Sequence, residues 1–595
     1  MTTLFGLVAR TVAARQALRE NWRNFIPSTF PAADDDGWSC DPDVGVVLYR
    51  ARFDSEGRAL VATQQVDLDR LMVTVAREGV DALCHQSGGF AAVFWDAPRR
   101  VLQMVRDPAG QCSIFIRQDQ LVDVFCSEMT PLLEDPSFDC LLDEESAQYF
   151  LSFGLPLPGR TLARGIAHLP AGHVRQYGPS GPALTRRYFT PLDLDQRKVA
   201  DDTWLEHIVA TLDAAIDEQS ADGRAAILLS GGVDSSYIAT TCATRHGAEG
   251  YDAYTIEFEG KGVVNEVEYA QLAANAAGIR LHPVRMTVRD AQDALQSVLA
   301  QAQPCAAWAA LTHQHLMHHI AQSGHRRVLS GLGADEVFGG YSRYLQFYKR
   351  LRRNEDRRPC DGVPALDSLT WRESHAERDL FPGIPQFFDQ AARRKGLDVP
   401  FSHWSHASTL ASFYRECRQI KSDAHVFEMM VAHECQHRVP DLLFAGFEPM
   451  TRAHALQSGY PFLAPDVMRV ACALGASERF WVSGGRWKNK KLLRRIALRR
   501  LPEQIITRKP ASYTTPIRAW LDTPSFSAEL RDRLHSSQLW SAGLVKRDWL
   551  QRLEQQLAEG AARRQHGLVV EQYWVLTILA AWVDRWCDRA VGKRR

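Results

Sequence analysis

The sequence predicts an α/β protein in two parts: a β-rich N-terminal region, then a parallel sheet covered by helices with a helical C-terminal third. Three observations predict it. The chain has 595 residues, well past the ~250–300 at which a single hydrophobic core stops growing, so several domains are expected. Up to about residue 190 the apolar residues come in short runs of strand length divided by turn residues. From about Asp201 short buried runs alternate with long helical patterns, as strands lying parallel beneath helices do.

In chain order, the opening Met1-Thr2-Thr3-Leu4-Phe5-Gly6 lacks the basic stretch and sustained apolar core of a secretory signal, and Arg10 and Arg15 interrupt it. Residues 44–49, 89–95 and 101–105 are strand candidates, and Asp96-Ala97-Pro98 and Asp107-Pro108-Ala109-Gly110 are turn signals between them. In the second part, strands are expected at 225–229, 253–258, 281–284 and 327–329, each followed by a turn and a helix. Residues 349–395 are rich in Arg, Asp and Pro with weak periodicity. They read as an insertion, a solvated excursion or alternatively a docking surface. The expected domains are 1–195 and 201–595, and the basic Gly592-Lys593-Arg594-Arg595 ends the chain.

Composition excludes several classes. Lys+Arg and Asp+Glu both number 70, so the formal net charge is zero and there is no electrostatic footprint for nucleic acid or a membrane surface. Hydrophobic residues at 45% and charged residues at 24% exclude a largely disordered chain. The apolar stretch 573–583 is shorter than the about 20 residues a bilayer span takes. The 12 cysteines are scattered without a C-x-x-C pair, which reads as reduced thiols in a cytoplasmic protein.

Two loops carry the chemistry. Ser230-Gly231-Gly232-Val233-Asp234-Ser235-Ser236 follows the strand 226–229 directly and leads into a helix. Glycines let the backbone approach an anion, free N–H groups and the helix dipole favour negative charge, and Asp234 can bind a divalent cation that neutralises phosphate. No Lys follows the glycines, so this is not the loop of γ-phosphate transfer; it suits attack at the α-phosphate with pyrophosphate leaving. About a hundred residues on, the strand 327–330 is followed by Gly331-Leu332-Gly333-Ala334-Asp335-Glu336-Val337-Phe338-Gly339-Gly340-Tyr341. Asp335 supplies the second carboxylate that one Mg²⁺ on ATP would need, since loops at the carboxyl ends of parallel strands meet.

These two loops resemble those of the asparagine synthetase family of ATP pyrophosphatase enzymes. Residues 89–96, 104–110, Cys126-Ser127-Glu128 and Leu169-Pro170-Ala171-Gly172-His173 are similar to landmarks of that family's glutaminase domain. The resemblance implies a glutaminase-like β-sandwich followed by an ATP pyrophosphatase domain. It implies ATP contacts from Leu229, Ser230, Gly231, Gly232, Asp234, Ser235, Ser236, Ile256, Ser330 and Gly331, and Mg²⁺ held by Asp234 and Asp335. Lys509, in Arg508-Lys509-Pro510, is the expected cation that stabilises charge on the acyl-adenylate and pyrophosphate, although the family's Lys usually stands one residue later. Lys490-Lys491-Leu492-Leu493-Arg494 and Leu501-Pro502 also follow the family order.

The chain departs from the family in two places. Thr2 stands where the glutaminase has its nucleophilic Cys, and the nearest cysteine is Cys40. A Thr with a free amine can serve as nucleophile in other N-terminal hydrolases, but the simplest reading is a glutaminase fold kept as a scaffold, with glutamine not the amine donor. Leu332 stands where asparagine synthetases carry Glu and β-lactam synthetases Tyr, and it cannot accept a proton. Glu448, in Gly446-Phe447-Glu448-Pro449-Met450, resembles a catalytic Glu of β-lactam synthetases and is the candidate base; the alternative is an exposed loop carboxylate. His433-Glu434-Cys435-Gln436-His437 matches H-E-x-x-H on a helical stretch, but Pro440 and Leu443 stand where the extended zinc motif has Gly and His. His313, His315, His318 and His319 are spread around a helix rather than converging.

The resemblance therefore implies an ATP-dependent amide ligase whose amine arrives with its substrate. A lasso-peptide macrolactam cyclase is favoured, with a peptide substrate, a leader-peptide-binding protein and a leader protease as partners. The alternatives are a β-lactam synthetase-like or ammonia-dependent asparagine synthetase-like ligase, and a non-catalytic scaffold.

Overall fold

A computed structural model describes residues 4–9, 38–41, 46–49, 52–53, 58–62, 68–96, 98–119, 121–178, 182–193, 202–220, 223–260, 263–355, 386–388, 390–397, 407–424, 426–483, 486–508, 515–541, 543–559 and 566–587. Thr2 and Lys509 lie outside them, as does most of the expected insertion. The part of the insertion that is described begins as a continuation of the helix Ser342–Glu355 and closes with the helix Gln390–Gly396.

Among the described residues the N-terminal part is two six-stranded antiparallel sheets. One carries Phe5–Ala9 and Val122–Cys126 at its centre; the other carries Val101–Arg106 and Ala91–Asp96. Alternation of side chains across a strand sorts each run into two faces. Ala91, Val93 and Trp95 join Leu4, Val8 and Phe125 between the sheets, while Ala92 and Phe94 turn outward onto Leu71 of the helix Leu68–Glu78. Phe5 and Leu7 turn to the opposite outer face, toward the helix Glu144–Phe153. Both faces of the strands are covered, which is why the sequence shows unbroken apolar runs rather than alternation.

The second part is built on a five-stranded sheet, all parallel. We label its strands β1 (Ala225–Leu228), β2 (Tyr251–Phe258), β3 (Arg280–Met286), β4 (Arg327–Leu329) and β5 (Gln457–Gly459). The order across the sheet is β3-β2-β1-β4-β5. The direction of winding reverses between β1 and β4, so the loops leaving these two strands emerge side by side. Four of the strands are those the sequence predicts. The edge strand β5 lacks any sequence signal: Gln457-Ser458-Gly459 is neither β-branched nor apolar, and it pairs only because the chain returns there from far away.

Helices Val426–His433, Glu434–Phe444 and Ala445–Ala453 run on without a break, and the middle piece is π-helical around Pro440. A proline inside a helix has no N–H to give and crowds the preceding turn, and a widened π turn accommodates it. Glu448 therefore lies on a buried helix, 1% exposed, not in an exposed loop. The apolar stretch near the C-terminus is core: in the helix His566–Trp586, the indoles of Trp574 and Trp582 donate to the carbonyls of Ala306 and Ala302. Among the described residues no helix is long and apolar enough to cross a membrane.

The turn Asp107–Gly110 anchors the two parts together. Gly110 sits at φ +66, and a Cβ there would lie 2.7 Å from the Cβ atoms of both Ala171 and Pro440. Gly278 has a similar φ of +69 but meets only ordinary contact, 3.7 Å from Ala248. Gly278→Ala should therefore cost the left-handed strain alone, about 1–2 kcal/mol. Gly110→Ala should cost about 1–3 kcal/mol more, because Pro440 and Ala171 must move. Chemical denaturation of the two variants measures the difference.

Candidate active site

The first loop turns on Gly231, at φ +68, where any Cβ would run into the backbone of Tyr269 and Ala270. Its hydroxyls knit it together. The Ser230 N–H donates to Ser235 Oγ at 3.2 Å, and the Gly232 N–H donates to Ser230 Oγ at 3.3 Å. Gly232 caps the helix Val233–His246 without a side-chain partner for its first amides. Free amides at a helix N-terminus, beside a glycine turn, form an anion cradle. The second loop lies against it: a Cβ on Gly331 would be 3.1 Å from both Asp234 Cβ and the Ser235 nitrogen. Ser330 is fixed by its N–H to the Gly459 carbonyl at 3.0 Å. Leu229 and Ile256 are 1% and 4% exposed, leaving their backbone as the part a nucleotide could reach.

Asp234 and Asp335, predicted as a pair, converge on Lys490, which the sequence names only as part of a segment in the family order, without a role. Lys490 Nζ lies 2.5 Å from Asp234 Oδ2 and 2.7 Å from Asp335 Oδ1. Gly340 makes room for this, since a Cβ there would overlap Asp335 Oδ1 and Lys490 Cε. Lys490 is 7% exposed and holds a left-handed backbone, φ 55, just ahead of the helix Lys491–Ala497. Such a conformation in a non-glycine residue costs about 1–2 kcal/mol and marks a position held by its surroundings. Burial disfavours the ammonium, but Asp234 and Asp335 outweigh it and raise the Lys490 pKa. Burial pushes the Asp234 carboxyl up, against the pull of Lys490.

Asp234 Oδ1 and Ser236 Oγ are buried with no hydrogen-bond partner. A carboxylate oxygen left over beside a second carboxylate is a donor set that suits a hard divalent cation. On the other side of the first loop, the Arg508 guanidinium pairs with Glu266, lies 4.4 Å from the centroid of the Tyr269 ring and donates to the Ser230 carbonyl at 3.5 Å. Arg508, which precedes Lys509 in the sequence, thus lies beside the phosphate cradle.

Glu448 belongs to a different group. Tyr460 OH donates to its Oε1 at 2.8 Å, and burial raises its pKa, opposed by Arg452 and by hydrogen bonds from Tyr460, Ser458 and Gln111. None of these partners is in either phosphate loop. Leu332 is tied by its N–H to Ser330 Oγ at 3.2 Å.

The H-E-x-x-H residues lie on one continuous helix, but Glu434 is fully buried and bound to arginines: Arg438 at 3.1 Å and Arg343 at 3.4 Å. The rings of His433 and His437 stand edge-on to Phe413, and burial lowers the His433 pKa to about 4. Among the described residues no group of three or more His, Cys, Asp or Glu could hold a metal ion.

Comparison with known proteins places the chain in a family. The asparagine synthase family model matches residues 207–584, and a glutamine amidotransferase domain matches 49–189. Asparagine synthetase (glutamine-hydrolyzing) 1 of Bacillus subtilis (strain 168) is 24% identical over 551 residues, covering 89% of this chain and 83% of that protein. A Mycobacterium tuberculosis (strain H37Rv) protein named for the same activity is 28% identical over 468 residues, 74% of this chain and 69% of the relative. Amidase chry2 of Gibberella zeae is 22% identical over 597 residues, covering 89% and 84%.

Lys490→Met should reduce AMP formation at pH 7 by at least about a hundredfold, as loss of a fixed charge in a dry site does. It should also move the acid limb of the pH profile to higher pH, because removing a cation raises the pKa of the Asp234 carboxyl it had favoured. The zinc chelator 1,10-phenanthroline should leave AMP formation unchanged, measured side by side with untreated enzyme.

Proposed function

Since this chain belongs to the asparagine synthase family, which makes it an ATP-dependent amide-forming ligase that releases AMP and pyrophosphate, we propose that its product is a macrolactam. A side-chain carboxylate of a peptide attacks the α-phosphorus of ATP, the bond to the bridging oxygen breaks, and pyrophosphate leaves. The peptide's own N-terminal amine then attacks the acyl carbon, loses a proton, and AMP departs.

The observation that carries this reading is the residue at position 2. Thr2 and Thr3, not cysteine, stand ahead of the strand Phe5–Ala9, and Cys40 sits inside the strand Trp38–Asp41, paired with Val47. Without a cysteine at position 2 to release ammonia from glutamine, the amine in this reading arrives with the substrate. Leu332 adds to this, since it offers no group to hold a small free amine.

The residues have separable roles. The Gly231–Ser236 turn and the amides at the head of the helix Val233–His246 hold phosphate oxygens, with Ser230, Ser235 and Ser236 as hydroxyl donors. Asp234 and Asp335 fit a Mg²⁺ ion, which when bound neutralises phosphate charge. In this reading Lys490, beside both carboxylates, would stabilise departing pyrophosphate, and Lys509 would be the second such cation. Glu448, held by Tyr460, is the candidate acceptor for the amine proton. A leader-peptide-binding protein and a leader protease would present the processed peptide, and the reaction belongs in the cytoplasm where ATP is abundant.

The test is AMP and pyrophosphate release with Mg-ATP. The arms are aspartate plus ammonia, aspartate plus glutamine, a carboxyethyl-arginine-type small molecule, and a leader-free peptide with an internal acid. The expected result is AMP release with the peptide alone, with loss of one water from the peptide mass. AMP release with aspartate and a nitrogen donor would return the enzyme to asparagine synthesis. Asp234→Ala should abolish AMP formation in the productive arm; retained turnover would overturn the assignment of the phosphate cradle.

A further inference from the structure

The π-helical segment Glu434–Phe444 holds charges directed two ways. Toward the second loop, Glu434 binds Arg438 and Arg343, and Arg438 Nη1 also lies 3.3 Å from Glu336 Oε1. Glu336 follows Asp335 directly, is 1% exposed, and accepts the Tyr341 hydroxyl at 2.7 Å. Arg343 lies 3.7 Å from the centroid of the same tyrosine ring. The loop from Asp335 to Tyr341 is therefore gripped from Glu434 and Arg438.

Toward the N-terminal domain, Asp441 Oδ1 lies 3.6 Å from Arg106 Nη1 and 3.4 Å from His168 Nδ1. Arg106 is fully buried and donates to the carbonyls of Gly110, Cys112 and Leu169, so the Asp107–Cys112 turn and this ion pair form one unit. Pro440 takes the close approach of Gly110, and Gln436 bonds Arg187 and the Phe189 carbonyl. A buried ion pair is costly to assemble and adds little net stability over apolar packing, whereas it fixes geometry well. Here two such clusters share one short, unusually wound segment, and π turns recur at functional sites.

We propose that Glu434–Phe444 is a strut through which the N-terminal domain positions the second phosphate loop, with the Arg106–Asp441 contact at one end and the Glu434–Arg438–Glu336 chain at the other. The proposal rests on the reading that this loop takes ATP phosphates. It gives the glutaminase-like domain a task that requires no reacting atom: it holds Asp335 in register with Asp234 and Lys490. Arg438, Glu434 and Asp441 are thus positioning residues.

The experiment uses the full chain and Mg-AMPCPP, whose α,β-methylene bridge prevents turnover. Calorimetry gives its affinity, hydrogen exchange of residues 330–341 gives the order of the loop, and thermal unfolding gives stability. Arg438→Met should weaken Mg-AMPCPP about tenfold, with partial recovery in Arg438→Lys. Asp441→Asn, whose partners Arg106 and the neutral imidazole of His168 both lie in the N-terminal domain, should speed exchange across 330–341 and weaken the analogue several-fold. The Asp441→Asn/Arg438→Met double variant should be no weaker than Arg438→Met alone, since both act through one element. An Asp441→Asn protein that loses unfolding temperature while keeping wild-type exchange and affinity would overturn the strut, as would full additivity. If Asp441→Asn does not fold, Gln436→Ala, which also removes contacts to the N-terminal domain, is read in the same way. Failure of the wild-type chain to bind Mg-AMPCPP would overturn the ATP-site reading as well; wild-type binding with unaltered variants would overturn only the strut.

Discussion

Two carboxylates close together in a buried place repel each other unless something positive lies between them, and in this protein that something is the ammonium of Lys490. The arrangement depends on the parallel pairing of β1 and β4, with Ala226 opposite Val328 and Ile227 opposite Leu329. That register places the two strand ends level, so the loops leaving them meet and Asp234 comes within reach of the same cation as Asp335. Gly231, Gly331 and Gly340 keep side chains out of the places where backbone, carboxylate and lysine approach most closely. A site poised this way has its charges set before ATP arrives, which is where most of the advantage of a preorganised polar site over water lies.

The rest of the molecule can be understood as the means of keeping that register. The edge strand β5 pairs with β4 and accepts the Ser330 N–H, and it is itself touched by Gln111 of the N-terminal domain, which donates to the Ser458 carbonyl at 3.0 Å. Helices on both faces of the parallel sheet bury its apolar strands, while the N-terminal sheets are closed by their own helices. The two parts meet through specific buried polar contacts, among them Arg106 with Asp441 and Arg393 with Ser152.

The H-E-x-x-H residues show how a motif can be right about local structure and uninformative about chemistry. The i, i+4 spacing does put Glu434 and Arg438 on one face of a helix, as it puts His433 and His437 on another. What fills the space around them is decided elsewhere: Phe413 against the imidazoles and Arg343 against the carboxylate. A buried glutamate between two guanidiniums stays ionised as a structural anion and has no oxygen to spare for activating a water.

Sequence by itself determined the two-part architecture, four of the five strands of the parallel sheet and the glycine-serine turn with Asp234, because each is written in local pattern: apolar runs, turn residues and a helix start. It also brought out Asp335, since the second loop repeats the design of the first. It did not determine Lys490, β5 or the burial of Glu448. Lys490 is one lysine among many in a basic stretch, and its role comes from a fold that carries it across 256 residues of chain to Asp234. Ser458 and Gly459 form a strand only because β4 offers an edge. Glu448 is buried because a helix continues through two prolines, which local rules read as a break. Local pattern specifies what a segment can form; which charges meet is set by long-range register, and only the tertiary structure fixes that.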